Sequence, residues 1–485
     1  MRDLRADVHR EPLRREHVED IPGAALAEGI DWRWETFPEY LDVLATKRLV
    51  MDVGTQIPHG PLRFYVMGER GAKNEPATPA DAAGMAAIVR EAVAAGALGF
   101  STSRTIVHRA INGEPVPGTF AAEDELFAIG RALGELGQGL FELAPAGAMG
   151  EDLAAPAREV DWMRRLSREI RRPITFALNQ NDVDKDLWRE VLRLVEGAAR
   201  EGASIRPQVG SRATTLLIGH QTFHPFQFRP SFKALEALPL DERVARLRDP
   251  AVKRALLAEE NQFDDPRLMV VLSLIANRLD KVFPLGDPPD YEPGPEQSIA
   301  AIAKREGRDA FDVLYDRLLE RDGRELLMLT ILGYSDGDLE AVRAMLEHPS
   351  SAFGLGDAGA HCGAICDATM TTFLLTHWAR DRKRGPKLPL PWAVRKMTRE
   401  TAELYGLGDR GVLAAGRKGD LNVVDFAALR LEPPVLVHDL PAGGRRLIQK
   451  AKGFEATVVS GEVTMRNGEH TGALPGRLVR GARKA

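Results

Sequence analysis

The sequence predicts an α/β protein of the barrel type that closes in a small β module. Three observations carry this. The chain has 485 residues, 44% of them hydrophobic, which suits one large barrel with an added part. Short apolar runs alternate with amphipathic stretches at helical spacing through much of the chain. The tail then changes to short β-like runs separated by Gly-containing turns.

Residues 1–29 read as a poorly ordered lead-in, because Met1 to Asp20 is dense in charge and lacks apolar periodicity. Asp31 to Leu44 reads as a helix entry followed by an amphipathic helix. The candidate strands are Val50–Ile57, Gly96–Ser103, Gly139–Ala144, Pro173–Gln180, Ile205–Gly210 and Ala352–Ala358. Between them fall candidate helices at Pro79–Ala95, Ala122–Leu136, Asp161–Glu169 and Lys185–Glu201. Strand, crossover helix, strand is the pattern of a parallel sheet. Six such strands fall short of the eight of a complete (β/α)8 TIM-type barrel.

The barrel domain is placed at 30–405. At about 211–350 the rhythm breaks into a mostly helical insertion with one further apolar run, Leu326–Gly333. Such insertions carry substrate contacts, because function sits on the loops. Residues 406–485 form the C-terminal module, with runs at Gly419–Phe426, Phe454–Ser460 and Glu462–Arg466 and turns at Ser460-Gly461 and Asn467-Gly468.

Composition removes several function classes. Lys+Arg is 65 and Asp+Glu is 70, a net charge of −5, and the basic residues are mixed with acids along the chain. That is no footprint for nucleic acid. No apolar run approaches the roughly 20 residues that span a bilayer, so no membrane association is expected. The N-terminus has no apolar core of a signal peptide. Two cysteines, Cys362 and Cys366, exclude a disulfide framework, and the expected setting is reducing and cytoplasmic. There is no Gly-x-Gly-x-x-Gly after a first strand, no Gly-x4-Gly-Lys-Ser/Thr and no Gly-x-Ser-x-Gly elbow.

Asp357 is the sharpest candidate for chemistry. It lies where an apolar strand gives way to Gly354-Leu-Gly-Asp-Ala-Gly-Ala-His361. A carboxylate at a strand's C-terminal end points into a barrel mouth, where it can act as a general base toward water and then as an acid to the leaving group. The same position also suits an Asp capping the next helix. His361 can bind metal, orient Asp357 or touch substrate, or serve a structural role. Cys362 and Cys366, spaced C-x3-C, resemble half a zinc site with no second half, and read more simply as small buried residues. His220 and His224 stand four apart, as metal pairs on a helix do, but their run reads as a loop. Arg104 and His108 follow a strand end, where an arginine can hold a substrate carboxylate in a bidentate pair or simply bond loop carbonyls. Gln180 and Gln208, near two other strand ends, can offer neutral hydrogen bonds to an amide or carboxylate.

Several runs carry a family resemblance. Gly96-Ala-Leu-Gly-Phe-Ser-Thr-Ser103 resembles the Gly-Ala-x-Gly-Phe-Ser-Thr segment of N-acyl-D-amino-acid deacylases, within the amidohydrolase superfamily. Asp31-Trp-Arg-Trp-Glu-Thr-Phe-Pro-Glu-Tyr40 is similar to their segment before the third barrel strand, and Gly356-Asp357 to their final-strand aspartate. Thr398-Arg-Glu-Thr-Ala402 through Gly406-Leu407, Arg410–Gly416 and Gly419-Asp-Leu-Asn-Val-Val-Asp425 resemble the superfamily's closing signature. The ending Val459-Ser-Gly-Glu-Val463 with Gly468 resembles its last hairpin.

The resemblance implies a (β/α)8 metal-dependent hydrolase barrel with a C-terminal β-sandwich, and zinc or another divalent metal as cofactor. It implies hydrolysis of a non-peptide C–N bond, the amide of a small N-acyl amino acid, by metal-activated water. Asp357 inherits the general base role and metal ligation. Arg104, His361 and Gln180 are the expected substrate-binding residues.

The chain departs from the family at its start. Relatives carry a His-x-His pair on the first barrel strand and a Cys on the second, whereas His9 and His17 here have neither the spacing nor a strand around them. The runs Ile174–Gln180 and Ile205–Gly210 hold no histidine where relatives have ligands. Three protein ligands for zinc are not identifiable. Two explanations compete, with the first preferred: a chain N-terminally incomplete and lacking two barrel strands, or a natural metal-poor variant. An open barrel exposes strand edges and core, so the chain is expected either to be unstable or to self-associate. The alternative to an active enzyme is an inactive relative that serves as a binding or association module.

Overall fold

A computed structural model of the protein describes residues 21–110, 113–262, 275, 277–356, 359 and 361–481. Residues 1–20 of the expected lead-in and Asp357 lie outside the described residues; the rest of the lead-in is ordered, because Gly23–Gly29 forms a helix that buries Ala25.

In chain order the first nine strands are β1 Ile57–Pro58, β2 Gly99–Ser103, β3 Leu140–Ala144, β4 Ile174–Ala177, β5 Ile205–Val209, β6 Thr214–Ile218, β7 Val282–Pro284, β8 Leu327–Leu332 and β9 Ala352–Phe353. β1, β2, β3, β4, β5 and β9 form one sheet in that order, every neighbour parallel. The crossovers are α1 Pro79–Ala95, α2 Glu123–Leu136, α3 Ala155–Ile170 and α4 Leu187–Arg200. This is the strand–helix alternation of a TIM-type barrel, with six strands among the described residues.

Local chemistry explains these elements. α1 begins in a capping box, with Thr78 and Asp81 exchanging side-chain and backbone hydrogen bonds and Pro79 at the first helical position. Its buried Met85, Val89, Ala92 and Val93 recur at helical spacing. β2 opens on Gly99, where a Cβ would lie 2.1 Å from the Leu140 carbonyl oxygen, so only glycine lets β2 and β3 pair so closely there. On the face of the sheet that packs against the helices, Phe100 of β2 meets Phe141 of β3 at 4.9 Å between ring centroids, and Phe141 meets Trp162 of α3 at 5.8 Å. Residues alternate faces along a strand, so Glu142 is turned the other way from Phe141.

The expected strand over Val50–Ile57 is reduced to Ile57–Pro58. The residues before it are occupied by the end of the chain. Val53 donates its N–H to the Arg477 carbonyl at 3.0 Å and accepts from the Val479 N–H at 2.7 Å. Gly476 likewise donates to Leu49, and Gly481 to Gly96. Segment 476–481 thus straps the approach to β1.

Between β5 and β9 the chain builds its own core around Ile218, Phe226, Tyr315 and Leu329. Besides helices it contains an antiparallel sheet in the order β6-β8-β7, and the run Leu326–Gly333 supplies its central strand. Near the end of the chain, Leu421–Val424, Phe454–Val459, Glu462–Arg466 and Glu469–His470 form an antiparallel sheet. Its tight turns fall at Ser460-Gly461 and Asn467-Gly468, all four residues with positive φ. Two-residue hairpins require that geometry to match strand twist. No helix among the described residues is long and apolar enough to cross a membrane.

Candidate functional site

In a parallel α/β sheet, reactive groups collect beyond the C-terminal ends of the strands. Here those ends lead into His59 after β1, Arg104 after β2, Gln180 after β4, Arg212 after β5 and Gly354 after β9. Deeper in the sheet stands Glu142, in the middle of β3.

Glu142 is held by three donors from distant parts of the chain. Gln208 Nε2 of β5 donates to Oε1 at 2.7 Å, and the Tyr405 hydroxyl donates to Oε2 at 3.0 Å. Gln56 Nε2, just before β1, also donates to Oε2. Gly354 makes room for this arrangement, since a Cβ there would lie 2.6 Å from Gln208 Oε1. Burial, followed by the nearby Glu142 carboxylate, raises the Tyr405 pKa, so its hydroxyl keeps the proton it donates.

A second polar cluster closes the start of the helix after β1. His59, Arg63 and Glu125 are all buried. His59 Nδ1 lies 2.8 Å from Thr102 Oγ1, and its Nε2 lies 2.8 Å from Glu125 Oε1. Arg63 Nε donates to the same oxygen at 2.8 Å. Burial works against the charge on Glu125, but the hydrogen bonds and charges of His59 and Arg63 outweigh it and lower its pKa. Burial, with help from Arg63 and Arg104, lowers the pKa of His59 despite Glu125.

Arg212 forms a third cluster. It is buried, donates to the Cys366 carbonyl at 2.6 Å and to Asp367 Oδ1 at 3.1 Å, and lies 3.8 Å over the Tyr291 ring. These pairs join the end of β5 to the segment that follows Asp357.

The residues singled out from sequence take several positions. Arg104 turns toward the helix layer, where its Nε bonds Glu159 of α3 at 2.9 Å and Nη1 donates to the Ala121 carbonyl at 2.8 Å. His108 Nδ1 lies 2.7 Å from Ser103 Oγ. Gln180 is buried and joins two loops: Nε2 donates to Asp336 Oδ2 at 2.8 Å, and Oε1 accepts from the Ser335 N–H at 3.0 Å. His361 has a left-handed backbone, and its carbonyl accepts from Ala364 and Ile365. Cys362 and Cys366 are buried free thiols, and burial pushes Cys366 up to about 11. His220 and His224 lie in the turn region after β6, with ring centroids 4.8 Å apart.

Sequence reasoning passed over Glu142, His59 and Arg212. Glu142 had a signal, a lone acid inside the apolar run Leu140-Phe-Glu-Leu-Ala144. A small cavity of about 30 Å³ lies between the ends of β3 and β4, beside Glu159, Asn181 and Trp188. Among the described residues, no group of three or more His, Cys, Asp or Glu side chains is placed to hold a metal ion. Around Glu142 the neighbours are amides and a hydroxyl, poor ligands for zinc, and three of them already donate to the carboxylate. The described residues alone therefore assemble no complete metal site, and Asp357, the ligand that the resemblance assigns, lies outside them.

Comparison with known proteins supplies the kinship. The profile of the Amidohydrolase family matches residues 2–465. An uncharacterized protein of Mycobacterium tuberculosis (strain ATCC 25618 / H37Rv) is 26% identical over 472 residues, covering 90% of this chain and 72% of that one. The D-aminoacylase of Alcaligenes xylosoxydans xylosoxydans is 25% identical over 461 residues, covering 94% and 75%. The crystal structure of N-acyl-D-glutamate deacylase from Bordetella bronchiseptica, complexed with zinc and a phosphonate inhibitor, superposes with a TM-score of 0.56. It is 18% identical and covers 94% of this chain and 78% of that one.

Proposed function

Because the chain belongs to the amidohydrolase family, we propose that it hydrolyses the amide of a small N-acyl amino acid. The observation that carries this reading is the family match over residues 2–465. The kinship with D-aminoacylase narrows the substrate class. In this reading the substrate sits above the C-terminal ends of the strands, the face on which barrel enzymes assemble their reactive groups.

Asp357 takes the proton of the attacking water as the C–O bond forms, and returns it to the leaving nitrogen as the C–N bond breaks. That role comes from the strand-end position and the family resemblance. His361, four residues on, lies beside it in sequence and is proposed to contact the substrate. Arg104 and Gln180 belong to the same reading as residues that shape the substrate's surroundings: Arg104 through its bond to Glu159, Gln180 by joining the loop after β4 to the loop after β8. Zinc is present in the N-acyl-D-glutamate deacylase structure. The described residues of this chain do not build a place for it, so no step is routed through a metal.

The test is release of free amino acid from N-acetyl-D- and N-acetyl-L-amino acids, with and without added zinc. Release from one series is expected, reduced about 10²–10⁴-fold by Asp357→Asn. No release from either series under either condition would end the reading. One observation favours a second reading, an inactive relative that binds without hydrolysing: no three-ligand group exists among the described residues. Saturable binding of an N-acetyl-amino acid without turnover would select it.

A further inference from the structure

Below the sheet, on the face opposite the candidate site, lies a hollow of about 650 Å³. Pro173, Ser204 and Ala352, at the N-terminal ends of β4, β5 and β9, form its floor. α5 Glu340–Glu347, α6 Leu390–Met397 and α7 Arg399–Leu404 contribute its walls. Its size is that of a small-molecule site.

The charges inside do not balance. Arg206, the second residue of β5, donates to the Pro349 carbonyl at 3.1 Å and has no carboxylate partner among the described residues. Lys396 is 3% exposed, donates to the Ser351 carbonyl at 2.5 Å and stands 3.4 Å from Glu400 Oε2. Arg395 uses the same carboxylate, at 2.9 Å from Oε1. The other acids are engaged elsewhere. Glu403 pairs with Arg399 at 2.7 Å, and Glu347 pairs with Arg343 outside the hollow. Three cations of the hollow, Arg206, Arg395 and Lys396, therefore stand against one carboxylate, Glu400, which pairs with Arg395 and Lys396 only. Burial lowers the Lys396 pKa; Glu400 opposes that shift, and Arg206 and Arg395 add to it more weakly.

We propose that this hollow binds a small oxyanion, a carboxylate or phosphate group, between Arg206, Arg395 and Lys396. The guanidinium fork of Arg206 suits such a group, since two parallel N–H donors match two oxygens. Arg395 can exchange its exposed bond to Glu400 for a bond to the ligand at little cost, because exposed ion pairs are weak. Lys396 adds a point charge from the buried side. The ligand acts apart from the hydrolytic face and is not the substrate.

Titration calorimetry of the full chain tests this, with inorganic phosphate and citrate in separate runs at low salt. Saturable binding of at least one is expected, with Kd below about 1 mM. A tighter fit for phosphate marks a phosphorylated ligand, and a tighter fit for citrate a polycarboxylate. Arg206→Gln should weaken binding about tenfold or more through loss of the bidentate pair. Its side chain is exposed, and near-ultraviolet circular dichroism checks the fold. If that variant does not fold, Arg395→Gln takes its place with the same expectation. Absence of saturable heat from both anions, or unchanged affinity in the folded variant, overturns the proposal.

Discussion

His59 and His220 are both almost without exposure, at 1% and 6%, yet their surroundings are opposite. His59 has a hydrogen-bonding partner for each ring nitrogen, Thr102 on one side and Glu125 on the other. Neither nitrogen of His220 has one. Its neighbours are the ring of His224, the ring of Phe232 stacked at 6.0 Å, and Arg243, which donates to its backbone carbonyl. A satisfied buried polar group rigidifies what it joins, whereas an orphaned one carries its whole desolvation cost. The two histidines therefore mark a tight region and a vulnerable one: the His59 cluster fixes the end of β1, and the His220 pair sits in the segment between β5 and β9.

The comparison can be broken most strongly at Glu125. Glu125→Ala leaves Arg63 buried and unpaired, and should cost about 3–5 kcal/mol of unfolding free energy in urea titration. A loss under about 1 kcal/mol would show that the cluster does not hold the fold there.

Acid reaches the other region. Burial, assisted by Arg243, lowers the pKa of His220 to about 3, and burial lowers that of His224 well below its ordinary value. Both stay neutral when folded but take up protons when unfolded below about pH 6.5. Their neutral form thus favours folding above pH 6.5, and that advantage is lost as the pH falls toward the folded pKa. Each histidine should remove about 1.4 kcal/mol per pH unit below that point. Urea midpoints at pH 7, 6 and 5 measure it, and flat midpoints would contradict the assigned burial.

The smallest effect tests the orphaned ring directly. His220→Phe keeps the stacking on Phe232 and removes two unsatisfied nitrogens. Stability at pH 7 should rise by about 1 kcal/mol, and the acid sensitivity should shrink. A loss of stability would mean that the nitrogens are satisfied in solution.

Much of the architecture was legible because it depends on local chemistry. The hairpin turns at Ser460-Gly461 and Asn467-Gly468 follow from the positive φ that such turns demand. α1 matches its expected span, Pro79–Ala95, because Thr78, Pro79 and Asp81 mark its start and Gly96 its end. The strand over Val50–Ile57 was misjudged because residues more than 400 positions away, in 476–481, take its backbone bonds. The candidate site was less legible than the fold. Asp357 rests on the strand-end reading of the sequence and on the motif around it, and lies outside the described residues. Glu142 was not, although it stood out as an acid in an apolar strand.

The sequence by itself determined where strands and helices alternate, which turns close the tail, and the family to which the chain belongs. These rest on periodicity, capping and glycine placement within short windows. Only the tertiary structure decided that Glu142 is caged by Gln56, Gln208 and Tyr405, that His59 is satisfied while His220 is not, and that Arg206 and Lys396 line one hollow beneath the sheet. Those pairings join residues tens to hundreds of positions apart, and the cost or gain of burying a charge exists only once the chain has brought its partner to it.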